Sequence, residues 1–349
     1  MSERRPVLIV DAGGTLITRT RPGLAGRVVA AARAGGDERP EPVIRAAVHT
    51  APDVAACLRT FETLPPKAVA AVAAELAADP GDTVVLPGAE ELLDAAAGSG
   101  WRVVLATNAG PGTPPLPAVL AQHIDTVAES CGYGMVKDDP RFWARLVEQE
   151  QVDPGLAVVV GDDLRADQQA PELAGLQTRP VRGDGAAPAR LTELTRQLQA
   201  AGRVPAEATA LVAGRREQWA GRDIMVAPQL AHLVVRVTRA RVRLTSDAPG
   251  ATAAVVVRRQ SRPPAVVGAS GSLPPFAWLH LPRDRRPYQV PANLHALLER
   301  EGLQLDVLSP ADRRHALAMI REARSTTAIS ARMSDLVLFL KDRRKGDVT

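Results

Sequence analysis

Three aliphatic runs punctuate the first half of the chain. The first, Val7-Leu8-Ile9-Val10, is free of charge and runs straight into Asp11-Ala12-Gly13-Gly14-Thr15-Leu16. Such a run reads as a strand buried on both faces of a parallel sheet. Residues 103–106 repeat the pattern and deliver Thr107-Asn108, and residues 156–160 repeat it again and deliver Gly161-Asp162-Asp163. Between these runs the apolar spacing turns helical, over 89–97, 116–123, 142–149 and 168–174. Shorter strands are expected near 124–128 and 178–182. Strands that alternate with helices predict an α/β fold: a Rossmann-like, doubly wound parallel sheet. Open sheets of this kind hold their ligands just past the carboxyl ends of the strands, where Asp11, Thr107 and Asp162 fall.

The remaining stretches hang on this frame. Residues 19–86 are Ala-rich, with helical spacing around 43–48, 54–58 and 68–76 and breaks at Pro40, Pro42, Pro65, Pro66 and Pro80. They read as a helical insertion. Residues 184–222 are rich in Gly, Pro and Ala, carry one helix near 191–201 and read as a linker. From 224 to 290 the period changes. Residues 232–244 alternate apolar and basic positions, the mark of a strand with one wet face, and 253–257 and 265–267 are similar. From 309 to 341 the spacing is helical again, with helices near 311–323 and 326–340 forming a hairpin and N-cap character at Ser309 and Asp312. The expected organisation is a first domain over 1–183, the linker, and a smaller α+β domain over 223–349.

Composition narrows the setting. Aromatics make up only 3% of 349 residues, so the core is built from Ala, Val and Leu. Two cysteines, Cys57 and Cys131, give neither a disulfide framework nor a metal cluster, and reduced thiols in the cytoplasm are expected. No secretory leader is read at the N-terminus, and the longest charge-free runs are broken by Pro and Gly, so no membrane association is expected. The net charge of +4 conceals an asymmetry. Residues 1–213 hold 20 Lys/Arg against 27 Asp/Glu, and residues 214–349 hold 23 against 12. The basic second half is a candidate surface for a protein or polyanion partner, Arg239, Arg241 and Arg243 foremost, or a solvated and packing surface. The oligomeric state is left open.

The chemistry follows from what meets at the strand ends. An ionised carboxylate can attack phosphorus and form an acyl phosphate, dividing one hard step into two. The charge of the phosphoryl group must then be offset. Asp11 and Asp162 could hold a divalent cation, and Mg²⁺ suits hard oxygen ligands. Lys137 would balance the acids and hold the nucleophile and a substrate oxygen. The Thr107 hydroxyl and the backbone N–H groups of Gly14 and Asn108 would bind the transferring oxygens.

These stretches resemble the haloacid dehalogenase-like (HAD) superfamily of hydrolases over roughly 1–183. Its first motif, an apolar strand followed by Asp-x-Asp-x-Thr-Leu, is similar to Asp11-Ala12-Gly13-Gly14-Thr15-Leu16. Its second matches Thr107-Asn108, its third Lys137-Asp138-Asp139-Pro140, and its fourth Gly161-Asp162 with Asp167. The resemblance implies Mg²⁺-dependent hydrolysis of a small phosphorylated substrate through Asp11, with the insertion 19–86 as a cap. The family's phosphatases carry a second Asp two residues after the nucleophile as general acid and base; here that position is Gly13. Loss of such a group costs about 10²–10⁴ in rate, although the Gly13 carbonyl could still bind the metal. Two alternatives follow: a weak or inactive binding or regulatory protein that acts through its basic second half, and a hydrolase of C–halogen or C–P bonds. The tail from Val290-Pro291-x-x-Leu294 through Leu308-Ser309-Pro310-x-x-Arg313-Arg314 and Ile320-x-Glu322-Ala323 to Ala331-Arg332 resembles the bacteriocin-protection YdeI/OmpD-associated family. That likeness implies a helical hairpin joined to a small β-barrel, and little mechanism.

Overall fold

The computed structural model describes residues 5–53, 56, 57, 66–78, 82–110, 113–181, 187–201, 204, 205, 208–233, 239–246, 252–260, 262–268, 273–280, 290–308, 310–321, 323 and 325–346. The first part of the chain runs β1 (Val7–Val10), β2 (Ile17–Arg19), α1 (Leu24–Ala34), α2 (Glu41–Thr50), α3 (Pro66–Ala78), β3 (Thr83–Val85), α4 (Ala89–Gly98), β4 (Arg102–Thr107), α5 (Ala118–Ala121), β5 (Thr126–Glu129), α6 (Ser130–Tyr133), α7 (Pro140–Gln149), β6 (Ala157–Gly161), α8 (Ala170–Leu173) and β7 (Gln177–Pro180). Five of these strands form one parallel sheet in the order β5-β4-β1-β6-β7. The expected doubly wound sheet is present.

The three aliphatic runs are its central strands, and their alternation divides them between two cores. Leu8, Val10, Val103, Leu105, Val158 and Val160 face Leu92, Leu93 and Ala96 of α4. Val7, Ile9, Val104, Ala106, Ala157 and Val159 face Phe142, Trp143 and Leu146 of α7. Both faces are therefore dry, which is why these strands carry no polar residue. The chain passes from β1 to β4 on one side and from β6 to β7 on the other, so the crevice at the carboxyl ends of β1 and β6 is the topological switch point.

The insertion is helical as expected but begins and ends differently. β2 and β3 pair antiparallel (Ile17 opposite Val85), so 83–85 is a strand rather than helix. α1 was not expected. Its Leu24, Ala25, Val28 and Ala32 pack on Ile44 and Val48 of α2 and on Cys57, giving the insertion a small core of its own. Residues 54, 55 and 58 of the helix expected there lie outside the described residues.

The second part is an antiparallel sheet with a helical tail. After α9 (Ala187–Ala201) come β8 (Ala210–Val212), β9 (Arg216–Trp219), β10 (Arg222–Val226), β11 (Arg239–Thr245), β12 (Thr252–Arg259), β13 (Arg262–Gly268) and β14 (Ala277–His280), then α10 (Ala292–Glu301), α11 (Pro310–Arg321) and α12 (Thr326–Gly346). The sheet order is β8-β14-β11-β12-β13-β10-β9. Three expectations change here. The stretch 184–222, read as a linker with one helix near 191–201, has that helix as α9 but also supplies β8, β9 and the start of β10. Of the alternating stretch 232–244, residues 239–244 lie in β11, whereas 232 and 233 end a 3-10 helix, Pro228–Leu233; residues 234–238 lie outside the described residues, as does Ser309. The tail has a third helix, α10, packed with the expected pair through Leu294, Leu298, Leu317, Ile320 and Leu336.

The two sheets share a core. Leu211, Ala213, Phe276 and Trp278 belong to the same buried cluster as Leu8 and Leu92. The Trp278 indole donates to the Ala201 carbonyl (2.6 Å). The buried Gln177 amide donates to the carbonyls of Ala157 (3.0 Å) and Leu211 (3.1 Å), and its Oε1 accepts from the N–H of Ala213 (2.7 Å). Both cysteines are free, and no helix among the described residues is long and apolar enough to cross a membrane.

Candidate active site

The sheet register sets the site. Val10 stands opposite Leu105 on β4 and Val160 on β6. Beyond this rung the three strand ends deliver Ala12, Thr107 and Asp162 at one edge of the sheet. Asp11 lies between, its N–H donating to the Val160 carbonyl (2.9 Å). Adjacent strands are about 4.8 Å apart, so side chains at this level meet.

Lys137 arrives from the loop between α6 and α7. Its N–H donates to Asn108 Oδ1 (2.9 Å), and its carbonyl accepts from the Trp143 indole (2.7 Å). Backbone bonds on both sides thus fix a side chain that is only 2% exposed. Its Nζ lies 2.5 Å from Asp11 Oδ1 and 2.6 Å from Asp167 Oδ1. Asp167 sits in a π-helical turn, Arg165–Gln169, and its Oδ2 accepts from the N–H of Asp163 (3.0 Å). Asp163 caps the turn that follows: its Oδ1 accepts from the N–H groups of Arg165 and Ala166 (2.7 Å each).

Two glycines leave room for these acids. A Cβ on Gly161 would lie 2.2 Å from Asp167 Cγ. One on Gly14 would lie 2.2 Å from Asp162 Oδ2, and Gly14 has φ +80°, where L side chains are strained.

Asp11, Asp162 and Asp167 each present an oxygen, all within 4.8 Å of one another. Lys137 balances one of these three charges and leaves two, which is the charge of a divalent cation. Asp162 makes no ion pair among the described residues, and the donor set is all hard oxygen, so the residues fit Mg²⁺. The acids themselves register the excess. Burial pushes the Asp11 carboxyl up to about 7, with Lys137 opposing and Asp167 and Asp162 adding to the rise. Burial, reinforced by Asp167, pushes Asp162 up to about 6. Burial works against the Lys137 ammonium too, but Asp11 and Asp167 outweigh it and hold the amine above the usual lysine range.

Of the residues singled out from the sequence, Asp11, Lys137, Asp162 and Asn108 converge here. Thr107 is half-buried at the end of β4, its hydroxyl without a hydrogen bond among the described residues. Gly14 is a correction. Its N–H donates to the Ile17 carbonyl (2.8 Å), closing the turn after β1, and is not free for an anion. The amides of Ala12 and Gly13 make no such bond among the described residues. Gly13 is exposed, with nothing within 4 Å of where its Cβ would be. The third carboxylate of the cluster is Asp167, whereas the sequence pointed to the Gly13 carbonyl.

Sequence reasoning missed His49 altogether. It lies in the last turn of α2. Its carbonyl accepts from Ser130 Oγ (2.8 Å), a hydroxyl also 3.2 Å from the Ala109 carbonyl, so the helix is pinned over the loop that follows Thr107. The His49 ring Nδ1 is buried and makes no hydrogen bond among the described residues. No spacing signal marks it, since only the tertiary fold brings its helix beside the loop after Thr107.

Residues 6–175, slightly under half of the chain, match the family model described as haloacid dehalogenase-like hydrolase. No curated protein matches the chain. Among solved structures it is similar to a predicted HAD-like family hydrolase from Porphyromonas gingivalis (19% identity, 55% of this chain and 98% of that one, TM-score 0.42). It is also similar to CbbY from Rhodobacter sphaeroides in complex with phosphate (19%, 52% and 87%, TM-score 0.37). A third likeness is to a HAD family enzyme from Bacteroides thetaiotaomicron in complex with magnesium and inorganic phosphate (13%, 52% and 96%, TM-score 0.35).

Proposed function

We propose that residues 6–175 act as a Mg²⁺-dependent hydrolase of a small phosphorylated substrate, with Asp11 as the nucleophile. The observation that supports this reading most is the convergence of Lys137 on Asp11 and Asp167, with Asp162 beside them and two negative charges unbalanced. Lys137 holds Asp11 Oδ1, which leaves Oδ2 to attack phosphorus in line with the departing oxygen. The P–O bond to the leaving group breaks as the bond to Oδ2 forms, and water later cleaves the acyl phosphate. The Thr107 hydroxyl and the amides of Asn108 and Gly13 would take the phosphoryl oxygens. Asp11 and Asp162, with the Gly13 carbonyl or Asp167, would hold the cation, which supplies charge neutralisation when bound. In this reading the helical insertion is a cap that selects the substrate.

The deciding experiment is a panel of phosphoesters and acyl phosphates assayed with and without Mg²⁺, beside Asp11→Asn. Turnover that needs Mg²⁺ and disappears in the variant supports the assignment. Turnover that survives Asp11→Asn, or none on any substrate with Mg²⁺ bound, overturns it. The second result favours a binding or regulatory role, consistent with the absent side chain at position 13. For that role the wet face of the second sheet, with Arg241, Arg243, Arg258 and Arg262 exposed, is the candidate polyanion or protein contact. Salt-dependent retention on heparin, lost when Arg241 and Arg243 are neutralised, tests it.

A further inference from the structure

We propose that Arg215, from the second domain, is a positioning residue for the candidate active site. Through Glu172 it fixes the short helical stretch that carries Asp167 to Lys137. Its bearing on Mg²⁺ rests on the reading of Asp11 and Asp162 given above.

Asp167 reaches Lys137 on a slender support. The π-helical turn Arg165–Gln169 runs straight into α8 (Ala170–Leu173), five residues followed by four. Besides Asp167, the residues buried along it are Ala166, Ala170 and Pro171. Such small side chains have little apolar area to bury, and Leu173 faces solvent, 77% exposed. A helix this short is marginal without tertiary support. It must also hold a carboxylate among its like, since Asp11, Asp162 and Asp167 each present an oxygen within 4.8 Å of the others. Apolar packing does not set where Asp167 stands; polar contacts do.

Those contacts lie at the two ends of the stretch. Asp163 caps its start through the N–H groups of Arg165 and Ala166. Glu172, five residues after Asp167, anchors its end. Glu172 Oε1 accepts from the Thr178 hydroxyl (2.9 Å) and from Arg215 Nε (2.6 Å), and Oε2 accepts from Arg215 Nη2 (3.2 Å). A two-pronged contact between guanidinium and carboxylate fixes direction as well as distance.

Arg215 is itself held. Residues 213–215 run beside β7: the Ala213 N–H donates to Gln177 Oε1 (2.7 Å), and the Gly214 carbonyl accepts from Arg179 Nη1 (3.1 Å). A Cβ on Gly214 would lie 1.8 Å from the Val226 carbonyl oxygen, so only glycine lets the chain pass there. Arg215 Nη1 donates to Glu217, which pairs with Arg259 (2.5 Å), and Arg259 Nε donates to the Pro263 carbonyl (2.8 Å). Glu172, Arg215, Glu217 and Arg259 alternate in sign and sum to zero. Unlike the acids around Asp11, this row needs no further ion. Desolvation consumes most of the attraction in such a buried row, so its use here is to fix geometry. Without Arg215, Glu172 is left short of its partner, α8 turns toward water, and Asp167 leaves Lys137.

The test uses the full chain. Arg215→Met keeps much of the aliphatic length and removes the clamp. Amide exchange by NMR, without metal, reads the local effect. The Asp163 N–H bonds to Asp167 Oδ2 and the Asp167 N–H to the Asp163 carbonyl (3.0 Å each). Both should exchange about 10–100-fold faster, the worth of a charge-assisted bond, while the Asp11 amide, bonded to the Val160 carbonyl, keeps its protection. Unchanged exchange at 163 and 167 overturns the proposal. Equal loss at Asp11 also overturns it, since Arg215 would then only stabilise the sheet. Mg²⁺ affinity by titration calorimetry should fall about 10–100-fold, as for other residues that hold a metal ligand in place; an unchanged affinity overturns the proposal. Glu172→Gln leaves Arg215 paired with Glu217 and should move both readouts in the same direction, which decides the matter if Arg215→Met does not fold. If wild type binds no Mg²⁺, the reading of the site falls, and amide exchange alone decides whether Arg215 places Asp167.

Discussion

Lys137→Met removes one buried charge and keeps an unbranched chain of similar length beside Trp143, whose ring lies 5.9 Å from Nζ. In wild type the ammonium sits 2.5 Å from Asp11 and 2.6 Å from Asp167. At an effective dielectric near 20 each contact is worth about 6–7 kcal/mol of gross attraction. The cost of desolvating three ions consumes most of that. Deleting one partner of a buried pair nevertheless costs about 3–5 kcal/mol, because the other is left uncompensated. The penalty must depend on pH. Asp11 already sits near 7 in the folded protein against 3.8 for the free group, and loss of the ammonium raises it further. Between those values the folded state binds more protons than the unfolded, so stability falls as pH rises. Urea denaturation without metal should therefore show the full 3–5 kcal/mol loss near pH 8 and a loss nearer about 1–2 kcal/mol at pH 5, where Asp11 takes up a proton. A loss equal at both pH values, or below about 1 kcal/mol at pH 8, would refute the placement of the ammonium between two charged acids.

Other outcomes follow from the same geometry. In wild type, Mg²⁺ should raise the melting temperature more at pH 7.5 than at pH 5, with protons released on binding, because the cation must displace the protons that Asp11 and Asp162 hold up to about 7 and 6; calorimetry in two buffers of different ionisation heat measures the release. Gly14→Ala places a methyl against Asp162 at a strained φ, and Mg²⁺ affinity by titration calorimetry should fall at least about tenfold. Gly13→Asp meets no obstacle and should raise alkyl phosphate hydrolysis by about 10²–10⁴, measured by phosphate release. Gln177→Leu removes three buried hydrogen bonds between the sheets, the Leu211 carbonyl keeping only the one from Gln229, and denaturant curves should show about 2–4 kcal/mol lost.

The sheet and most of the site were legible in the sequence for one physical reason. A strand buried on both faces admits no polar residue, so the three charge-free runs announce themselves, and whatever polar residue ends each run stands at the crevice. The positions that escaped depend on contacts between distant segments. β2 and β3 have three residues each and no turn joining them, so no period could mark them. Gly14 was read as an anion donor because a glycine turn exposes amides, but the Ile17 carbonyl 2.8 Å away takes that one. Asp167 was weighed as part of a motif, yet its contact with Lys137 depends on a π-helical turn that carries it back toward the strand end. His49 sits on a helix whose own pattern does not single it out, and its place beside the loop after Thr107 depends on Ser130 and Gly110.

The same reasoning explains why 184–222 read as a linker. Its strands are three to five residues long and its apolar residues are mostly Ala and Val, too few to show a period. Yet they complete the N-terminal core. β8 brings Leu211, β14 brings Trp278 and the bend before it brings Phe276 into the cluster that holds Leu8, Val103 and Trp101, with the Trp101 and Phe276 rings 6.2 Å apart. Arg215 at the start of β9 pairs with Glu172 on α8 at 2.6 Å, and Arg179 of β7 donates to the Gly214 carbonyl at 3.1 Å. A face of the parallel sheet that a free-standing α/β domain would cover with its own helices is covered here in part by the second sheet. Cutting the chain at 183 would expose large aromatic and aliphatic surface beneath α4 and β4, so the second domain contributes to the stability of the first whatever else its basic face binds.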